Sequence, residues 1–115
     1  MSHDPDCIFC KLVEGKIPSR KAYEDDEILV FHDIAPWAPV HLLLIPKRHL
    51  PSMAEVTAAD APLLGRMMAM IPQLMLANGA TDGFRIIVNT GRDGLQEVPH
   101  LHLHAIGGPR PWAKG

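Results

Sequence analysis

The chain has 115 residues, a size for one domain over 1–115 with a core of its own. Apolar residues make up 47%, charged residues 21%, and the formal net charge is −2, which excludes a basic nucleic-acid groove and an acidic disordered tail. No apolar run approaches the roughly 20 residues of a membrane span, and the opening Met-Ser-His-Asp-Pro-Asp lacks the basic and apolar regions of a secretory signal. The expectation is therefore a cytoplasmic protein with no membrane and no nucleic-acid partner.

In chain order, residues 7–14 are predicted as a short helix ended by Gly15 and Pro18. Cys7 and Cys10 within it form a C-x-x-C pair. In a reducing compartment that spacing fits a metal or redox pair better than a structural disulfide. Ala22–Glu24 is a short strand, Asp25-Asp26 a turn, Ile28–His32 an apolar strand, and Val40–Ile45 a second one stopped by Pro46. Residues 57–78 carry Leu63, Leu64, Met67, Met68, Ile71, Leu74 and Met75 at helical spacing, with Thr57 or Asp60 as cap and Gly79 as stop. Pro62 fits the first turn, and Pro72 predicts a bend near residue 68. The four methionines of this segment are ordinary core. Arg85–Asn89 reads as a strand, Thr90–Gly94 as a glycine-bounded loop and His100–Ile106 as a final strand. Strands, one long helix and then strands argue an α+β fold with an antiparallel sheet.

Alternation in a strand puts His100, His102 and His104 on one face, about 7 Å apart, with Leu101 and Leu103 on the other. Two chemistries suit such a row. Imidazole is a common zinc ligand, although this spacing is long for three ligands on one ion. Alternatively, one neutral imidazole attacks an electrophile while a neighbour stabilises the developing charge.

The segment His100-Leu-His-Leu-His-Ala-Ile resembles the histidine triad (HIT) signature. Phe31–His49 (FHDIAPWAPVHLLLIPKRH), RIIVN at Arg85–Asn89, QEV at Gln96–Val98, Gly107-Gly108 and Trp112 are similar to the Hint branch of that superfamily, the histidine triad nucleotide-binding proteins. The resemblance runs from about Cys7 to the C-terminus. It implies an HIT-like fold, a five-stranded antiparallel sheet with one main helix, continued into ten strands in a homodimer. The helix 63–77 and the strand Arg85–Asn89 would form the interface.

The resemblance also implies a hydrolase that splits purine nucleoside phosphoramidates, such as AMP linked to an amine, through a nucleotidyl-histidine. His102 would be the nucleophile, His104 would contact the phosphate and help protonate the leaving amine, and His41 would join the proton network. Asp33 would accept hydrogen bonds from the ribose, with Phe31, His32 and Ile34 lining the base pocket. Asn89, Leu95, Gln96 and Glu97 would approach the phosphate and leaving group. Cys7, Cys10, His49 and His100 would hold a structural zinc. The chain departs from the family pattern at Leu95, where glycine is common, at Pro99, where an aromatic is usual, and at Trp37. A left-handed backbone at Leu95 would cost a leucine. Alternatives from the same residues are a dinucleoside polyphosphate hydrolase, a nucleotide-binding regulatory module with vestigial catalysis, and a purely structural zinc protein.

Overall fold

A computed structural model of the chain describes residues 7–115; the N-terminal segment 1–6, read above for a secretory signal, lies outside them. Its elements in order are α1 (Ile8–Val13), β1 (Lys21–Glu24), β2 (Ile28–His32), β3 (Val40–Pro46), α2 (Ala61–Ala77), β4 (Phe84–Ile87) and β5 (Leu103–Gly107). The strands form one five-stranded antiparallel sheet in the order β1-β2-β3-β5-β4.

The alternation of side chains sorts the sheet into two faces. Ile28, Val30, Leu42, Leu44, Leu103 and Ala105 join Met67, Ile71 and Met75 of α2 in the larger core. Leu29, Phe31, Leu43 and Ile45 turn the other way and pack with Cys7, Phe9, Cys10 and Leu12 around α1. Burying both faces explains why β3 is apolar along nearly its whole length and fully buried.

Helix α2 begins at Ala61, four residues later than the predicted start at 57. Thr57 and Asp60 do form a capping box, but it caps a separate turn of 3-10 helix, Ala58–Asp60, that leads into α2. Pro62 sits in the first turn, where its missing N–H costs nothing. The helix runs on through Pro72 to Ala77. The carbonyl that loses its donor there is that of Met68, whose residue is 46% exposed, so water can replace the bond. Asn78 closes the helix, its side-chain amide donating to the Leu74 carbonyl at 2.8 Å, and Ala80 N–H returns to the Met75 carbonyl at 2.9 Å across Gly79 at φ 103°.

The histidine segment also differs from its prediction. Ladder pairing starts at Leu103, so His100–His102 lie outside the strand predicted over His100–Ile106. The register Leu44↔Leu103 would set Pro46 opposite Leu101 if it continued. Pro46 has no N–H to give, and Leu101 N–H bonds instead to the Leu50 carbonyl at 2.6 Å. The alternating orientation nevertheless persists, for Leu101 stays in the α2-side core. The strand predicted over Arg85–Asn89 is likewise shorter, its ladder ending at Ile87. No helix among the described residues is long and apolar enough to cross a membrane.

Candidate active site and candidate metal centre

The α1 face of the sheet is covered only in part, and beside α1 lies a cleft of about 750 Å³. His102 and His104 stand in it with Asp33, Asn89, Leu95, Gln96 and Glu97. His41 lies behind His104, 2% exposed. Phe31, His32 and Ile34 do not line the cleft: Phe31 is packed among the α1-side residues, His32 is half-buried on β2, and Ile34 is fully exposed. Phe9, Trp37, Leu43, Ile87, Arg92 and Lys114 line it as well, none of which had been assigned to it.

Hydrogen-bond partners assign the tautomers. The Trp37 N–H can only donate, so His41 Nδ1, 3.0 Å away, accepts. Neutral His41 then carries its proton on Nε2, which donates to His104 Nδ1 at 2.9 Å. That leaves the His104 proton on its own Nε2. His102 Nδ1 lies 2.7 Å from the His100 carbonyl and must be the protonated nitrogen, so Nε2 keeps the free lone pair. Phe9 meets the His102 ring edge-on, centroids 5.1 Å apart.

Burial keeps these rings neutral. It pushes His102 below 6.5, against the pull of the His100 carbonyl and of Asp33 and Glu97. It pushes His41 down too, with Asp33 opposing. His104 falls to about 3, from burial first and then from the neighbouring His102, His41 and Lys114. A neutral, oriented imidazole with an exposed lone pair is a nucleophile at neutral pH.

Asp33 follows β2. Its Oδ1 accepts the Ala35 N–H at 2.8 Å, and its Oδ2 lies 3.6 Å from His41 Nε2. Residues 91–95 form the turn beneath the far side of the cleft. The side chain of Gln96 is committed to that turn: Oε1 accepts from Gly91 N–H at 3.0 Å, and Nε2 donates to the carbonyls of Pro51 and Val98 at 2.8 and 2.9 Å. Gln96 therefore shapes the loop instead of offering its amide to a ligand. Leu95 adopts φ 58°, the left-handed region, with its side chain 77% exposed.

On the other side of His102, four donors converge. Cys7 Sγ is 3.3 Å and Cys10 Sγ 3.5 Å from His100 Nδ1; His49 Nδ1 is 3.3 Å from Cys10 Sγ and 3.1 Å from His100 Nδ1. The four ligand atoms all lie within 4.8 Å of one another. Tetrahedral zinc with these ligands needs edges of about 3.3–3.8 Å. His100 Nε2 donates to the Pro46 carbonyl at 2.8 Å, which leaves Nδ1 as the lone-pair nitrogen facing the thiols. The Cys10 N–H donates to Cys7 Sγ at 3.2 Å, which orients that sulfur toward the other three donors. Two sulfurs and two nitrogens close the tetrahedron with no open position, so the donor set suits a structural ion.

A separate concavity of about 580 Å³ near β4 holds Asp82, Arg85 and Arg110 and is lined by no histidine or cysteine.

A sheet of this topology carrying His-x-His-x-His at its centre is the arrangement of histidine triad proteins, and residues 14–110 match the HIT domain. The chain belongs to the HIT family. It is 52% identical over 103 residues to protein HitA of Neisseria gonorrhoeae, covering 90% of this chain and 96% of that one. Among solved structures it is similar to an HIT family hydrolase from Legionella pneumophila (TM-score 0.87, 42% identity, 91% and 95% of the two chains covered). It is also similar to a histidine triad protein from Clostridium difficile (TM-score 0.88, 40% identity, 95% and 96% covered).

Proposed function

We propose that the protein is a hydrolase of the Hint type that cleaves purine nucleoside phosphoramidates through a nucleotidyl-histidine. The observation that carries this reading is His102, locked by its Nδ1–H on the His100 carbonyl and left with a free Nε2 in the cleft. Similarity to the HIT family hydrolase of Legionella pneumophila supports it. In the first half-reaction Nε2 attacks the α-phosphorus and the P–N bond breaks. The leaving nitrogen accepts a hydrogen bond from the His104 Nε2–H and takes up its proton from solvent as the amine departs. In the second half-reaction water attacks the same phosphorus, the P–Nε2 bond breaks to free His102, and the water's proton passes to solvent. Splitting one displacement into two lowers each barrier.

Asp33 Oδ2, which accepts no hydrogen bond from the described residues and lies 3.6 Å from His41 Nε2, is an acceptor suited to a ribose diol. Ile34, exposed next to it, offers an apolar surface to the base, with Phe31 and His32 behind. Asn89, Glu97 and the Leu95–Gln96 turn face the phosphate and leaving group.

Zinc fits the Cys7, Cys10, His49 and His100 donor set, where it would add structural rigidity and no catalytic step. By tying α1 to His100 it would hold Phe9 against the nucleophile. A C-x-x-C pair turned toward two imidazoles fits a metal pair of a reducing, cytoplasmic location. The protein would act as a homodimer, joined through the exposed Met68 and Leu76 of α2 and the edge strand β4; sedimentation equilibrium should return twice the chain mass.

The test is release of a fluorogenic amine from an adenosine phosphoramidate by the wild type and by His102→Ala. Catalysis through the histidine predicts loss of about four orders of magnitude or more in the variant, and a nucleotidyl adduct on His102 in quenched wild-type protein. Equal inactivity of both, with AMP still bound, would replace the enzyme by a binding module.

A further inference from the structure

Trp37 was expected only as a departure from the family pattern. In the folded chain it touches both partners of the His41–His104 pair. Its indole lies on the His104 imidazole, centroids 4.3 Å apart and planes inclined by 18°. It meets the His41 ring at 4.9 Å and 55°, and its backbone N–H is the donor that fixes the His41 tautomer. Its carbonyl accepts the Lys114 N–H at 3.1 Å, and Lys114 Nζ stands 4.7 Å from the indole centre. One residue in the β2–β3 loop thus sets one imidazole through its backbone, holds the other through its ring and ties the segment at 114 to the cleft.

We propose that Trp37 is a positioning residue that clamps His104 so that its Nε2–H points at the leaving group, and that this clamp suits the site to substrates with basic, poorly departing groups. This rests on the reading of the site as a phosphoramidase. A hydrogen bond from His104 has two rotational hazards, turning about the side-chain bonds and flipping of the ring. The His41 Nε2–H on His104 Nδ1 opposes the flip. The flat stack on the indole opposes the turning, since any tilt loses the contact between the rings. A donor held at the leaving atom matters in proportion to the charge that builds there. That charge is large for an alkylamine and small for a nitrophenolate, which leaves unaided.

The test uses Trp37→Leu and Trp37→Phe in the full chain, with two adenosine 5′-phosphoryl substrates. One carries an alkylamine and the other a 4-nitrophenol. Loss of the clamp in Trp37→Leu should lower kcat/KM on the alkylamine compound about 10- to 100-fold and on the nitrophenyl compound less than about threefold. Trp37→Phe keeps an aromatic face and should stay within about threefold of wild type on both. Proton NMR of the ligand-free proteins supplies a readout independent of turnover. The His104 ring signals should be shifted upfield by the indole in wild type, shifted less in Trp37→Phe, and unshifted in Trp37→Leu. Equal losses on both substrates would mean that Trp37 only supports the fold, and would overturn the proposal. Unchanged rates in Trp37→Leu would overturn it as well. If wild type cleaved neither compound, the phosphoramidase reading would fall. The ring shifts would then decide the clamp alone, and their absence would sink it.

Discussion

Leu95 is the residue whose replacement should make the protein more stable. Its φ of 58° is the only positive value at a non-glycine position among the described residues. A side chain in that region costs roughly 1–2 kcal/mol from the clash of Cβ with the following carbonyl. Glycine removes the clash but brings about 0.5–1 kcal/mol of extra backbone entropy loss on folding. The side chain is 77% exposed, so little burial is forfeited. The difference leaves Leu95→Gly more stable by about 0.5–1 kcal/mol, a rise of roughly 2–4 °C in the thermal midpoint for a chain of this size. Alanine keeps the Cβ and hence the clash, so Leu95→Ala should be no more stable than wild type. Paired calorimetric scans read both variants. A glycine variant that melts at or below the alanine variant would refute the left-handed backbone and the strain assigned to it.

Purified protein should contain one zinc per chain by elemental analysis. Cys10→Ser or a strong chelator should remove it and lower the midpoint by roughly 10 °C or more; an unchanged midpoint after complete metal removal would mean that α1 docks without the ion. Met67→Ala, at the buried centre of α2, should cost about 2–5 kcal/mol in urea unfolding while leaving the cleft in place. The buried histidines give a pH dependence of defined sign. His41, His102 and His104 all titrate below 6.5 when folded, so between those values and 6.5 the unfolded chain binds more protons. Stability is therefore complete above 6.5 and declines as pH falls toward 5, by about 1.4 kcal/mol per pH unit for each group that charges only on unfolding. Denaturant melts at pH 7 and 5.5 should show the fall, and His41→Asn should reduce its slope.

The two-faced sheet was legible because period-two alternation is a property of the backbone. Once Leu101 and Leu103 face the α2 core, His100, His102 and His104 must face the other way. The resemblance then supplied the partners His41, His49, Cys7 and Cys10, and the fold brings each into hydrogen-bonding distance of its mate. The ladder's end at Leu103 was not legible in the histidine run itself. It depends on Pro46, a residue far away in sequence that withholds an N–H. Phe9, Trp37, Arg92 and Lys114 escaped for a related reason, since they reach the cleft from a helix, loops and a terminal segment that long-range packing sets down there. A signal did exist for Arg92, a cation in the glycine-bounded loop Thr90–Gly94 that the sequence sets just before Gln96 and Glu97. Another existed for Phe9, which any ion on Cys7 and Cys10 would pin in place. The base-pocket residues were carried over by position alone; of the three, Ile34 stands exposed beside Asp33, while Phe31 packs among the α1-side residues.

The sheet has unequal covers. On one face lies α2, 17 residues long; on the other lies α1, with only 6. A helix of 6 residues spans about 9 Å, too short to roof five strands. The cleft is thus not carved into the protein; it is the stretch of sheet that the short helix leaves bare, paved by Leu43, Ile87 and the edge of Phe9. A nucleotide lying there would take the place of the missing layer.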